Sequence, residues 1–480
     1  MIKQYVTLFL TAIAATLILA ACGGSGGGGS ASAGLSSGKL TTTQGVITGF
    51  GSVFVNGVEY FIGNNTAINV NGVDKPESEL QVGMLVTLEG TVSAGGKIGT
   101  ATTIRYCDLM QGVVTANAVG SDGTGTLTVM GQTVTITADT VFNSQVTGVT
   151  SPQLIQVGNV VEVSGYASKT GDVTATRIEV KAASQAPGTV IEVKGIISNL
   201  DLNKQTFTLG GLTVDYSHLS SADLPNVALA DGLYVEVKST TLFDGTGPLI
   251  ASKIELEDDG FKGHDGHEGE GIEVKGLVTA DFANGQFELN GRTVMIDDST
   301  RIENGTTAQL VKGTPVKVHA HYDANGNLVA DKIDFKNASK IELEGTLEAV
   351  DLDAGTITVL GQVIYVDSNT IMLDKSKDAV RYFSLADLNP QNGDHLEVKA
   401  YLDSATGHLV ATKLERHNFS SQCKIKGSVD TTQGGLKVEG IIVDPSSAGN
   451  APALNNGDTV ELQGTYSDGM FHADTVSLHD

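Results

Sequence analysis

The chain of 480 residues carries 55 acidic against 30 basic side chains, a formal charge of −25 at pH 7. Such a surface repels phosphate backbones and attracts cations, which argues against a nucleic-acid partner. Tryptophan is absent and aromatics are sparse, which weakens sugar stacking too, while 40% apolar residues exclude disorder as the source of the acidity.

Residues 1–21 read as a processing signal outside the fold. Lys3 supplies the positive end, Tyr5 to Ala21 is largely apolar, and Leu19-Ala20-Ala21-Cys22 closes the run. The segment resembles a bacterial lipoprotein signal, which implies cleavage after Ala21 and acyl chains on Cys22. Loss of Lys3 would take the mature charge to −26. Gly23, where an aspartate would retain the protein at the inner membrane, implies sorting to the outer membrane of a Gram-negative envelope. Residues 22–41 are a Gly/Ser tether with a reach of roughly 25 Å for about twenty residues. The membrane is therefore an expected partner through the lipid alone.

After the tether the chain repeats itself six times. A glycine (Gly83, Gly158, Gly232, Gly313, Gly393, Gly457) is followed at +3 and +5 by an apolar pair such as Val161/Val163. Each is followed by an alanine (Ala101, Ala175, Ala251, Ala330, Ala411, Ala473) with an apolar residue three places on. Upstream of each glycine a short strand reads apolar-x-Gly-x-apolar, as in Val193-Lys-Gly195-Ile-Ile197, and the first copy departs only at Thr43. A hairpin follows, with period-two alternation and a glycine between its arms, as at Asn56-Gly57 and Asn290-Gly291.

These signals predict an all-β chain of six tandem units, each of five short strands, with a longer irregular segment between the third and fourth. That is the pattern of a small Greek-key barrel of the oligonucleotide/oligosaccharide-binding (OB) type. Small open sandwiches or a β-solenoid are the alternatives. The odd spacing between the alanine and the next apolar residue requires a β-bulge or a strand end in the last strand. The units fall at 42–108, 109–183, 187–257, 272–337, 340–416 and 422–480, with an acidic Gly/His linker at 258–271.

GFGSVFVNGVEY (Gly49 to Tyr60), LQVGMLVTLEG (Leu80 to Gly90) and VTATRIEV (Val173 to Val180) resemble the domain-of-unknown-function 5666 family, DUF5666. The resemblance implies tandem copies in a bacterial lipoprotein and carries over no activity, cofactor or catalytic residue. It is weaker in the third unit, where Ser239 replaces a glycine, and in the short sixth.

Candidate chemistry is sparse. In the linker His264, Asp265, His267 and Glu268, with Asp258 and Asp259 nearby, offer imidazole and carboxylate ligands for zinc, nickel or copper, against the alternative of a solvated acidic hinge. His319 and His321 stand on the outward face of one strand, roughly 7 Å apart, close enough for a shared ion. Asp323 to Asn327 resembles half a calcium loop but recurs as a hairpin turn in other units. Cys107 and Cys423 either pair, which requires the array to curl back on itself, or stand as separate thiols. No nucleophile elbow, metalloprotease helix or phosphate loop occurs. The expectation is a non-enzymatic binding or scaffolding lipoprotein whose partner is an envelope protein or polymer. The alternative is a metal-binding or buffering lipoprotein working through the linker, a divalent metal being the one cofactor admitted.

Overall fold

A computed structural model describes residues 39–257, 271–432, 435–449 and 451–479. The signal, Cys22, nearly all of the tether and the linker ligands His264, Asp265, His267 and Glu268 lie outside the described residues. The described chain forms one compact unit and is all-β, with 3-10 turns as its helical pieces.

The strand plan is clearest in residues 39–106. Lys39–Phe50 pairs along its first half with Leu85–Val92 and along its second half with Val53–Val55. Val53–Val55 turns back into Val58–Val70, which runs parallel to Ile98–Tyr106, and that strand returns to Leu85–Val92. The ring closes as a small five-stranded barrel around Ile47, Val53, Tyr60, Leu88 and Ile104. Residues 341–417 repeat the circuit around Leu343, Val359, Val398 and Leu414.

Two glycine columns make the ring possible. The glycine between the hairpin arms follows a residue that is itself left-handed (Asn56 φ 54°, Met130 φ 45°, Leu360 φ 52°), the signature of a type I′ turn. The side chain of that residue folds back over the opening strand, where a glycine leaves the room. A Cβ on Gly112 would sit 2.3 Å from Met130 Cε, and one on Gly276 would sit 1.9 Å from Asn290 Oδ1. The glycine before the closing hairpin has φ near +90° in five copies. From that bend Gly158 donates to Val114 O at 2.8 Å, and Gly232 makes the same bond to Ile197 O.

The bulge is where the spacing requires it. Thr102, Thr176, Asp331, Thr412 and Asp474 have no cross-strand partner, each lying one residue past the repeated alanine. In the third unit the last strand breaks instead, between Leu249–Ile250 and Lys253–Leu256. The segment predicted as irregular is partly ordered. Val141–Ser144, Arg301–Glu303 and Ile371–Asp374 run parallel to the last strand beyond its bulge. The bulge thus marks where that strand changes partner. The alanine carbonyl freed there accepts from a threonine hydroxyl: Thr66 to Ala101 at 2.8 Å, Thr140 to Ala175 at 2.8 Å, Thr300 to Ala330 at 2.7 Å and Thr370 to Ala411 at 2.9 Å.

The array is not a string of beads. Opening strands pair with one another: Thr41–Gln44 parallel to Gly271–Val274, Glu192–Val193 with Gln111–Met110, and Glu342–Glu344 with Lys424–Lys426. The first unit therefore joins the fourth across more than two hundred residues. Arg381 clamps the fifth unit to the first, donating to Glu77 O and Leu80 O at 2.8 Å with its guanidinium 4.3 Å above Phe50. This curling does not bring about the disulfide. Cys107 and Cys423 are both free, the first exposed and the second buried at the start of Cys423–Asp430.

Thr370→Val keeps the volume and removes the bond to the bulged carbonyl. It is expected to cost about 1–3 kcal/mol, the penalty for a buried unpaired acceptor, read as a lower urea midpoint with unchanged slope. Arg381→Lys cannot reproduce a planar fork stacked on an aromatic ring, so it is expected to destabilise nearly as much as Arg381→Ala in the same titration.

Candidate binding cleft and its ligand cluster

A cleft of about 680 Å³ separates residues 121–124 and 136–153 from the outer face of residues 341–417. Period-two alternation turns alternate residues of Ile341–Asp351, His395–Asp403 and His408–His417 outward, and register aligns them into rows. Glu342, Lys399 and Lys413 form one row, and Glu344, Glu397 and Glu415 the next. The joint to the last unit places Lys424 opposite Glu344.

The rows are laced with ion pairs. Lys399 pairs with Glu342 and lies 2.9 Å from Glu397 Oε1. Lys424 reaches Glu342 Oε1 at 2.9 Å and Glu461 Oε2 at 3.5 Å. Lys413 stands 3.7 Å from Glu415 Oε1. His417 Nε2 faces the remaining oxygens, 3.5 Å from Glu397 Oε2 and 3.6 Å from Glu415 Oε2. Glu397, Glu415 and His417 thus converge within 4.8 Å, the one such three-residue group of ligand type among the described residues.

Burial opposes charge at each of these groups, and the neighbours outweigh it. The carboxylates of Glu397 and Glu415 facing its Nε2 lift His417 to about 9. His417 with Lys399 and Lys413 holds Glu397 well below the usual carboxylate range. Lys413 and His417 bring Glu415 to about 2, against the repulsion of Glu397. Glu397 and Glu342 raise Lys399.

Ties across the cleft fix its width. Lys426 donates to Asp122 Oδ2 at 2.8 Å, and the Thr124 amide and hydroxyl donate to the same carboxylate. Thr412 and Ser339 both donate to Asp139 Oδ1, at 2.7 and 3.0 Å, and Lys375 donates to the Phe142 carbonyl.

The histidine pair read from sequence does not converge. His319 Nδ1 lies 3.6 Å from Glu273 Oε2, and His321 Nδ1 lies 2.7 Å from Asp331 Oδ1, so each has its own carboxylate. Asp323 to Asn327 is a turn, with Asp323 Oδ1 accepting from the amides of Asn325 and Asn327. The cluster the sequence reading missed had a local signal, since Glu415-Arg-His417 has the same i, i+2 outward spacing as His319-Ala-His321. Glu397, on another strand, had none.

Fold and cleft together define an all-β protein of small five-stranded barrels in tandem, folded back so that separate units line one cleft. The chain belongs to the DUF5666 family, described as a domain of unknown function, which matches at residues 44–105, 111–179, 188–255, 275–334 and 344–415. No curated relative matches. A solved structure, "drosophila Unr CSD456", is similar at 16% identity over 47% of this chain and 97% of that one, with a TM-score of 0.11, too low to carry an argument.

Burial also opposes the charge of Asp122, and Lys426 with Thr124 outweighs it, holding the carboxyl well below its ordinary value. A depressed carboxylate contributes stability present above its unfolded value near 3.8 and lost as pH falls through the folded one. Asp122→Asn is therefore expected to raise amide exchange at 120–124 at pH 7. The difference from the unsubstituted protein should shrink as pH drops below about 4. Exchange mass spectrometry at the two pH values checks both.

Proposed function

We propose that this chain is a non-enzymatic binding or scaffolding protein of a Gram-negative envelope, made of six OB-like barrels and tethered to the outer membrane through Cys22. Residues 1–41 support the anchor by their composition alone. The sixth barrel is supported by residues 423–479, whose pairings follow the order of the matched segments.

One observation carries the binding reading. The cleft is walled by units far apart in sequence, and its central ionisable groups are held as fixed ions. General acid–base catalysis needs a group that changes protonation near the working pH. Glu397 and Glu415 are kept as carboxylates and Lys399 as an ammonium. Such a surface is suited to recognising charge and hydrogen-bonding groups. The occupant it suits is a polar segment of an envelope polymer or protein, with both signs of charge available to meet it.

Thr147 and Thr150 are exposed on the cleft wall. Thr150→Trp is expected to fill the entrance and reduce by about tenfold (about 1.4 kcal/mol) the material that co-purifies from native envelope. Cys22→Ser should leave that material bound and move the protein from the membrane to the soluble fraction. Release of a soluble fragment from envelope polysaccharide by the purified protein would overturn the non-enzymatic reading.

A further inference from the structure

We propose that Glu397, Glu415 and His417 hold one divalent transition-metal ion in the cleft, zinc or a borderline neighbour. The inference stands on the local geometry and does not depend on what larger partner the cleft receives.

Each carboxylate is already divided between two tasks. Lys399 takes Oε1 of Glu397 and Lys413 approaches Oε1 of Glu415, which leaves both Oε2 atoms turned towards the imidazole. His417 Nε2 is buried and makes no hydrogen bond of ordinary length, facing Glu397 Oε2 at 3.5 Å and Glu415 Oε2 at 3.6 Å. Glu415 is 8% exposed, and its approaches to Lys413 and His417 are long, at 3.7 and 3.6 Å. Three donor atoms therefore face one another across gaps longer than hydrogen bonds.

Those gaps fit an ion. Ligands around a tetrahedral centre with bonds of about 2.0–2.1 Å stand about 3.3–3.4 Å apart, close to the 3.5 and 3.6 Å from Nε2 to the two oxygens. One imidazole and two carboxylates suit zinc, manganese, cobalt or nickel, whereas calcium requires six to eight oxygens. The lysines serve as the outer shell that orients carboxylate ligands. Two carboxylates and a neutral imidazole balance a divalent cation. The fourth position faces the cleft, open to water or to a donor from a bound partner. The competing occupant is a proton on His417, which would make the same residues an ion-free salt network.

The test uses the full mature chain with His264→Ala and His267→Ala, so that the linker contributes nothing. Calorimetry with zinc, and absorption with cobalt, are expected to give one site per chain with the intense visible bands of tetrahedral cobalt. Adding His417→Ala, or the near-isosteric Glu415→Gln, should weaken binding by more than about 100-fold, beyond the 10–100-fold of outer-shell changes. Crystals of the unsubstituted protein soaked in zinc should show anomalous density between the three residues, a readout that needs no variant to fold. No binding in the linker-free background, equal binding after Glu415→Gln, or no density between the three residues would each overturn the site in favour of the salt network.

Discussion

An opening strand can satisfy only part of its backbone within its own barrel. Its second half pairs with the strand that follows it and its first half with the closing hairpin, so the other side of the first half is an edge of unpaired amides and carbonyls. Buried backbone groups must be paired, and an open edge invites another chain. Here the edge is covered by the opening strand of another unit, through Thr41–Gln44 with Gly271–Val274 and Glu342–Glu344 with Lys424–Lys426. That requirement explains why the units join in pairs and why the array folds back.

Inside each barrel the same rule acts on a smaller scale. Closing so short a sheet bends the last strand at a bulge, which frees the carbonyl of the repeated alanine. A threonine hydroxyl supplies the missing bond, and the strand that follows the threonine takes over pairing beyond the bulge. The crossing of a turn side chain over a glycine of the opening strand works similarly. A left-handed residue such as Met130 is tolerated because it is buried against space that Gly112 leaves.

The cleft is a consequence of this packing. Glu397 and Glu415 stand directly opposite on neighbouring strands, an arrangement of like charges that destabilises a sheet by itself. On an isolated barrel the pair would face water. Faced by residues 121–124 and 136–153 across the cleft, it is desolvated and needs compensating charge, which Lys399, Lys413 and His417 provide. His417 is raised against its burial by the same two carboxylates, which its Nε2 faces at 3.5 and 3.6 Å.

The sequence alone determined the interior of the units. Strand order, the hairpin turns, the bulge and its alternative in the third unit all follow from local alternation, from glycines that must be left-handed, and from a spacing that cannot keep two side chains on one face. These are short-range constraints, and repetition made each of them visible several times. What it left illegible is the pairing between units, and with it the cleft. Which opening strand covers which is not legible in these columns: Glu192, Glu273 and Glu342 hold the same place in three units, yet they lie opposite Gln111, Thr43 and Lys426. Glu415 and His417 were adjacent in the sequence, yet their meaning waited on Glu397 from another strand and on a loop some 270 residues earlier. Periodicity reports the face a side chain takes, whereas only the tertiary structure decides what that face meets.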